Sequence, residues 1–164
     1  MRIWVIRHAK SSWADAQQKD FDRPLNKRGN ADGPKMQAWL AEQKYKAQWL
    51  WTSDAKRALA TSEFVKGAFG LAADHVEAVH KLYGASADAL LDVIRRTPVE
   101  VENVAVVAHN PGLTTLVNGL AGHVTVNLPT FGVVRLHCDS PWQDLQFGQC
   151  ESELFSSPKS LQLD

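Results

Sequence analysis

Apolar runs alternate with amphipathic stretches along this chain, and their spacing predicts its secondary structure. Short continuous apolar runs are typical of buried strands, and Val104–Ala108 is the clearest example. The predicted strands are Ile3–Ile6, Trp49–Thr52, His75–Val79, Val104–Ala108, Gly132–Cys138 and a short one at Leu145–Phe147. The polar stretch Lys10–Arg28 predicts a long loop after the first strand.

Apolar residues at helical spacing predict four helices between these strands. The predicted helices are Asn30–Glu42 with Pro34 in its first turn, Ala55–Phe69 capped by Asp54, a helix capped by Ser86 that stops before Pro98, and Leu113–Leu120 ended by Gly122. Strands that alternate with helices favour a single α/β domain over residues 1–164, with a mostly parallel central sheet and helices on both faces. Residues 156–164 are expected to form a surface tail.

Residues that suit phosphate chemistry follow three of the predicted strands. Arg7 and His8 follow the first strand, Ser53 follows the second with Arg57 one turn into the next helix, and His109 follows Val104–Ala108. The carboxyl ends of parallel strands lie along one edge of a sheet, so these side chains can converge beside two helix N-termini. Guanidinium groups can bind two phosphoryl oxygens each, and a neutral imidazole can attack phosphorus.

Composition narrows the class of function further. The 18 basic and 18 acidic residues give a formal net charge of +0, which argues against a strongly electrostatic binder of nucleic acid or of a membrane surface. No run is long enough for a membrane span or a signal peptide, so a cytoplasmic location is expected. Cys138 and Cys150 are expected to be reduced thiols. No metal-ligand spacing, Walker-type loop or dinucleotide fingerprint is present, so neither a metal nor a cofactor is expected.

Four segments together make the chain similar to the histidine phosphatase superfamily, and within it to the short SixA-like branch of phosphohistidine phosphatases. They are Ile3–Lys10 with Arg7-His8, Asp22–Leu25 with Gly29, Ser53–Ala58 with Thr61, and Val107–Gly112 with His109-Asn110-Pro111. The resemblance spans most of the chain and implies a phosphoglycerate mutase-like fold. Ala9 stands where many members have glycine, and Asp54 stands where proline is frequent.

The resemblance also implies a metal-independent mechanism. His8 would be the nucleophile that is transiently phosphorylated, and Arg7, Arg57 and His109 would bind the phosphoryl oxygens. Arg23 is a further candidate for phosphate contact, although a salt bridge that fixes its loop is the more ordinary role.

One position departs from the family pattern. Larger relatives carry a carboxylate general acid a few residues before a Tyr-Gly pair, where this chain has His80, and neither Glu77 nor Asp88 fits the spacing. An alkoxide leaving group needs a proton, whereas an imidazole nitrogen leaves more readily. The departure therefore favours phosphohistidine as substrate, although His80 could itself be the proton donor.

The expected function is a phosphatase that dephosphorylates phosphohistidine on a signalling protein, with a histidine-phosphotransfer domain as a candidate partner. The chain is short and has little length to spare for a lid, which favours a site open to a protein. Two alternatives stay open: a phosphatase acting on a small molecule such as a sugar or nucleotide phosphate, and a non-catalytic phosphoprotein-binding module. His8 argues against the second, because binding alone needs no nucleophile.

Overall fold

A six-stranded sheet runs through the protein, whose computed structural model describes residues 1–161. Its strands are β1 (Arg2–Arg7), β2 (Trp49–Thr52), β3 (Val76–Ala78), β4 (Asn103–Ala108), β5 (Val133–Cys138) and β6 (Cys150–Ser156). The strand order is β3-β2-β4-β1-β5-β6. The first four strands in that order are parallel, and β5 and β6 are antiparallel to their neighbours. The prediction of a mostly parallel sheet is confirmed.

Helices cover both faces of the sheet, as predicted. They are α1 (Lys27–Ala41), α2 (Lys56–Phe69), α3 (Ala87–Ile94) and α4 (Gly112–Ala121). Successive side chains of β1 point to opposite faces, because a strand has a period of two. Ile3 and Val5 pack in the core that contains apolar residues of α3 and α4, whereas Trp4 and Ile6 pack in the core formed with α1 and α2. All four are fully buried, which explains why this strand is a continuous apolar run.

Two predicted helix starts were wrong, for local reasons. Helix α1 begins at Lys27 rather than Asn30, because the Asn26 side chain accepts a hydrogen bond from the backbone N–H of Gly29. Pro34 consequently lies inside the helix rather than in its first turn. Asp54 does not cap α2, which begins at Lys56 without a side-chain cap. The predicted Ser86 cap of α3 is confirmed.

The last strand was missed. The segment predicted as a strand at Leu145–Phe147 contains no strand, and β6 lies further on, at Cys150–Ser156. Strand β6 is at the edge of the sheet and is mostly exposed, so no apolar run marks it. The prediction of a tail from residue 156 is wrong for Ser156 and Ser157, which are both buried. Residues 162–164 of that tail lie outside the described residues.

Strand β6 also corrects the prediction for the cysteines. Cys138 at the end of β5 lies opposite Cys150 at the start of β6, and the two form a disulfide. The expectation of two reduced thiols rested on the expected cytoplasmic location, and strand β6, which brings Cys150 opposite Cys138, was not predicted. Within residues 1–161, no helix has the length and apolar content needed to cross a membrane.

Candidate active site

The carboxyl ends of β1, β2 and β4 meet at one cleft. His8 directly follows β1, Ser53 follows β2 and His109 follows β4, and the ring centres of the two histidines are 5.1 Å apart. The cleft has a volume of about 500 Å³. Its lining residues are Arg7, His8, Lys10, Ser11, Trp13, Asp20, Arg23, Arg57, Tyr83, Gly84, His109, Asn110 and Thr130. The structure therefore brings together Arg7, His8, Arg57 and His109, which we call the inner group.

His8 is held in one tautomer. Its Nδ1–H donates to the carbonyl oxygen of Ala9 at 2.7 Å, which leaves Nε2 as the nitrogen with a lone pair. The residue is 6% exposed. Burial lowers the pKa of His8 to about 3, and the nearby positive charges of Arg57 and Arg7 lower it too. A neutral imidazole with a lone pair on Nε2 can act as a nucleophile at ordinary pH.

Two of the motif segments are joined directly behind His8. The backbone N–H of Ala9 donates to Thr61 Oγ1 of α2 at 2.9 Å, and both groups are buried. Gly29 of α1 lies so close to the carbonyl of Lys10 that a Cβ there would overlap it. The segment after His8 is thus fixed against both helices, which is a physical reason for Thr61 and Gly29 in these motifs.

The inner group keeps unsatisfied polar nitrogens in a buried place. Arg7 donates from one terminal nitrogen to the carbonyl of Leu128, but its Nε has no partner. Arg57 Nε and His109 Nδ1 are also buried without a partner among the described residues. Buried polar groups without partners are rare, and three at one cleft indicate a site for an oxygen-rich anion.

His109 is anchored from behind. Its Nε2 lies 2.7 Å from Ser53 Oγ, which also accepts a hydrogen bond from the backbone N–H of Ala55. Burial lowers the pKa of His109 to about 4, with the charge of Arg57 acting in the same direction. The ring is therefore neutral at ordinary pH in the free protein.

Asp20 is a site residue that the sequence analysis missed. Its carboxylate accepts hydrogen bonds from Arg57 at 3.0 Å, from Arg23 at 3.0 Å and from the Tyr83 hydroxyl at 2.6 Å. Partial burial raises the pKa of Asp20, but the bonds from Tyr83 and Arg57 outweigh that effect and bring it to about 2. Asp20 lies two residues before the Asp22–Leu25 motif, and that spacing was the available signal.

Arg23 lies in the wall of the cleft, between Asp20 and Trp13. It also donates to Ser11 Oγ at 2.7 Å, and its guanidinium lies 3.6 Å from the ring centre of Trp13. The salt bridge to Asp20 fits the ordinary loop-fixing role, and the place of Arg23 in the lining leaves it within the candidate phosphate site. Trp13 itself is 75% exposed.

His80 lies outside the lining of the cleft. Its Nδ1 is 3.0 Å from a carboxylate oxygen of Asp54, and its ring packs near Phe21 and Tyr83. We call Trp13, Phe21 and His80 together the outer group.

Among residues 1–161, no cluster of three or more His, Cys, Asp and Glu side chains could hold a metal ion.

Comparisons with known proteins agree with this geometry. A family model described as histidine phosphatase superfamily, branch 1, matches residues 3–82. The structure superposes with a TM-score of 0.81 on a protein of Agrobacterium tumefaciens whose assignment as the phosphohistidine phosphatase SixA is provisional; the two share 26% identity over 96% of this chain and 97% of that one. The family model and this superposition together make the chain similar to the histidine phosphatase superfamily.

Two more matches concern the fold and the sequence over most of the chain. The protein histidine phosphatase SixA, solved with tungstate, superposes with a TM-score of 0.82 at 24% identity, over 99% of this chain and all of that one, and so shares the fold. An uncharacterised chloroplastic protein of Arabidopsis thaliana is 28% identical over 87% of this chain and 69% of its own length. The predicted SixA-like fold is confirmed, and similarity to the superfamily over residues 3–82 supports a phosphatase activity.

Proposed function

We propose that this protein hydrolyses phosphohistidine on a protein substrate through a phosphorylated His8 intermediate. The observation that carries the proposal is the fixed tautomer of His8, which leaves a lone pair on Nε2 of a residue that lines the cleft together with Arg7, Arg57 and His109. A binding module would need the cations but not this nucleophile. The non-catalytic alternative is therefore the weaker one.

The reaction takes two displacements at phosphorus. His8 Nε2 attacks the phosphorus atom, and the bond to the substrate nitrogen breaks as that imidazole takes the electron pair. Water then attacks the phosphorus of phospho-His8, the bond to Nε2 breaks, and phosphate leaves. Arg7, Arg57 and His109 stabilise charge on the phosphoryl oxygens in both steps, which is the main task in phosphoryl transfer.

The absence of a protonated carboxyl group in the described lining of the cleft supports a nitrogen leaving group. Asp20 is the only carboxylate in the lining of the cleft as far as residues 1–161 show, and its pKa of about 2 keeps it ionised. An ionised carboxylate cannot protonate an alkoxide as it leaves. Phosphohistidine needs less help, because an imidazole nitrogen is the better leaving group.

A protein substrate is supported by the exposure of the outer group. The side chain of His80 is 72% exposed, and no segment of the described chain covers Trp13. Exposed aromatic side chains beside a cleft are typical of surfaces that contact another protein. A histidine-phosphotransfer domain is the partner we would test first.

A small-molecule phosphatase is the second candidate. A cleft of about 500 Å³ is larger than a phosphoryl group needs and falls in the range of small-molecule sites. Sugar or nucleotide phosphates would fill such a volume.

The deciding experiment compares kcat/KM on a phosphorylated histidine-phosphotransfer domain with kcat/KM on a panel of phosphate monoesters. We expect the phosphohistidine protein to be preferred by at least tenfold. Preference for a monoester would favour the second candidate. Rapid quenching after mixing with labelled substrate tests for the intermediate. We expect an acid-sensitive label on the wild-type protein and none on His8→Asn. Turnover without such a label would contradict the mechanism.

A further inference from the structure

We propose that Ser53 is a positioning residue that fixes the tautomer of His109. In this tautomer Nδ1 carries the hydrogen and donates a hydrogen bond to a phosphoryl oxygen. Ser53 is fully buried between the end of β2 and the start of α2. Its Oγ lies 2.7 Å from His109 Nε2. In the sequence, Ser53 was noted only as the residue that follows the second predicted strand.

The direction of this hydrogen bond follows from counting protons. Ser53 Oγ accepts from the backbone N–H of Ala55 at 3.2 Å, and its single hydroxyl proton has no acceptor among the described residues other than His109 Nε2. Donation to Nε2 satisfies that proton and requires the other ring nitrogen, Nδ1, to carry hydrogen. In the opposite tautomer the hydroxyl proton would be buried without an acceptor, which costs free energy.

The other face of the ring supports the same assignment. His109 Nδ1 is buried and has no partner among residues 1–161, and the residue lines the cleft with Arg7, His8 and Arg57. An unprotonated Nδ1 would present a lone pair to an anion and repel it, whereas Nδ1–H donates. This inference rests on the proposed function in one respect, namely that the ligand of the cleft is a phosphoryl group.

The first test needs no substrate. Long-range ¹⁵N–¹H correlation spectra of the free protein report which ring nitrogen of each neutral histidine carries hydrogen, and His109→Gln assigns the signals. We expect His109 of the wild type to carry hydrogen on Nδ1. Hydrogen on Nε2 in the wild type would overturn the proposal whether or not any variant folds.

Variants then show whether Ser53 is the cause. In Ser53→Ala we expect a mixture of tautomers and a fall in kcat of about 10- to 100-fold, less than the loss of a whole oxyanion donor. Ser53→Thr keeps the hydroxyl and should restore the wild-type tautomer. Ser62→Ala is the matched control, because Ser62 is a buried α2 serine whose hydroxyl bonds to Thr52 and not to a histidine. An unchanged tautomer in Ser53→Ala would overturn the proposal.

The two proposals can fail separately. If the spectra show the expected tautomer but no phosphohistidine substrate is hydrolysed, the proposed function fails and the role of Ser53 stands. If phosphohistidine is hydrolysed while His109 carries hydrogen on Nε2, the role of Ser53 fails and the function stands.

Discussion

The inner and outer groups of the cleft are built in opposite ways. The inner residues His8 and His109 follow buried parallel strands and are at most 7% exposed. The outer residues Trp13 and His80 lie in connecting segments and point largely into solvent. The difference indicates that the strands position the residues that act on phosphorus, whereas the connecting segments determine which molecule can bring a phosphoryl group to those residues. Changes to the two groups should therefore have different signatures.

Arg57 gives the largest expected effect. In Arg57→Lys, the point charge of an ammonium cannot reproduce both the fork that bonds Asp20 and the additional N–H of the buried Nε. We expect a loss of about 3 kcal/mol in transition-state stabilisation, as kcat/KM, on every substrate. Arg57→Ala should lose only slightly more. Near-wild-type rates in Arg57→Lys would mean that Arg57 acts only through its positive charge, by attracting the substrate.

Acid should destabilise the protein through the inner histidines. Their folded pKa values of about 3 and about 4 lie below the ordinary value of 6.5, so the unfolded state binds more protons as pH falls below 6.5. Stability contributed in this way is complete above pH 6.5 and is lost as pH falls towards the folded pKa values.

Denaturant unfolding at pH 7 and pH 4.5 measures this loss. Between those two pH values, the free energy of unfolding of His8→Asn should fall by about 2.5 kcal/mol less than that of the wild type. His123→Asn, which changes an exposed histidine, is the control and should keep the wild-type difference. An identical loss in His8→Asn and the wild type would mean that the His8 ring is not held neutral by burial.

Trp13 tests the outer group. Trp13→Ala should lower kcat/KM on a phosphohistidine protein about tenfold and leave an aryl phosphate within twofold, because the larger substrate can cover the solvent-exposed part of the ring as well. Phe155→Ala removes an exposed aromatic ring from the edge strand β6 and should change neither rate. Equal losses of Trp13→Ala on both substrates would assign Trp13 to the phosphate chemistry through its contact with Arg23.

His80 should give the smallest effect on phosphohistidine. Its Nδ1 is engaged by Asp54 and its side chain lies outside the cleft lining, so His80→Ala should stay within twofold of the wild-type rate. An alkyl phosphate, whose leaving oxygen needs a proton, is the substrate on which a loss is expected. A large and equal loss on both would make His80 a general catalytic group.

The sequence predicted the parts of this molecule that depend on neighbouring residues. A continuous apolar run marks β1, and the two residues after it must lie at the sheet edge, which placed Arg7 and His8 correctly. Motif context did the same for Arg57 and His109. Asp20 was missed because its partner Arg57 is 37 residues away, and only the folded loop brings the two together. Strand β6 was missed because an exposed edge strand needs no apolar run.

The cleft also concentrates charge in a protein that has none overall. Its lining holds four cationic side chains, Arg7, Lys10, Arg23 and Arg57, against the single carboxylate of Asp20, while the whole chain has a formal net charge of +0. A phosphorylated surface approaching from a distance experiences a dipole that turns it towards the cleft before contact. Such guidance fades beyond about 8 Å at physiological ionic strength. Added salt should therefore lower the rate of association with a phosphoprotein while leaving the rate of the reaction within the bound complex nearly unchanged.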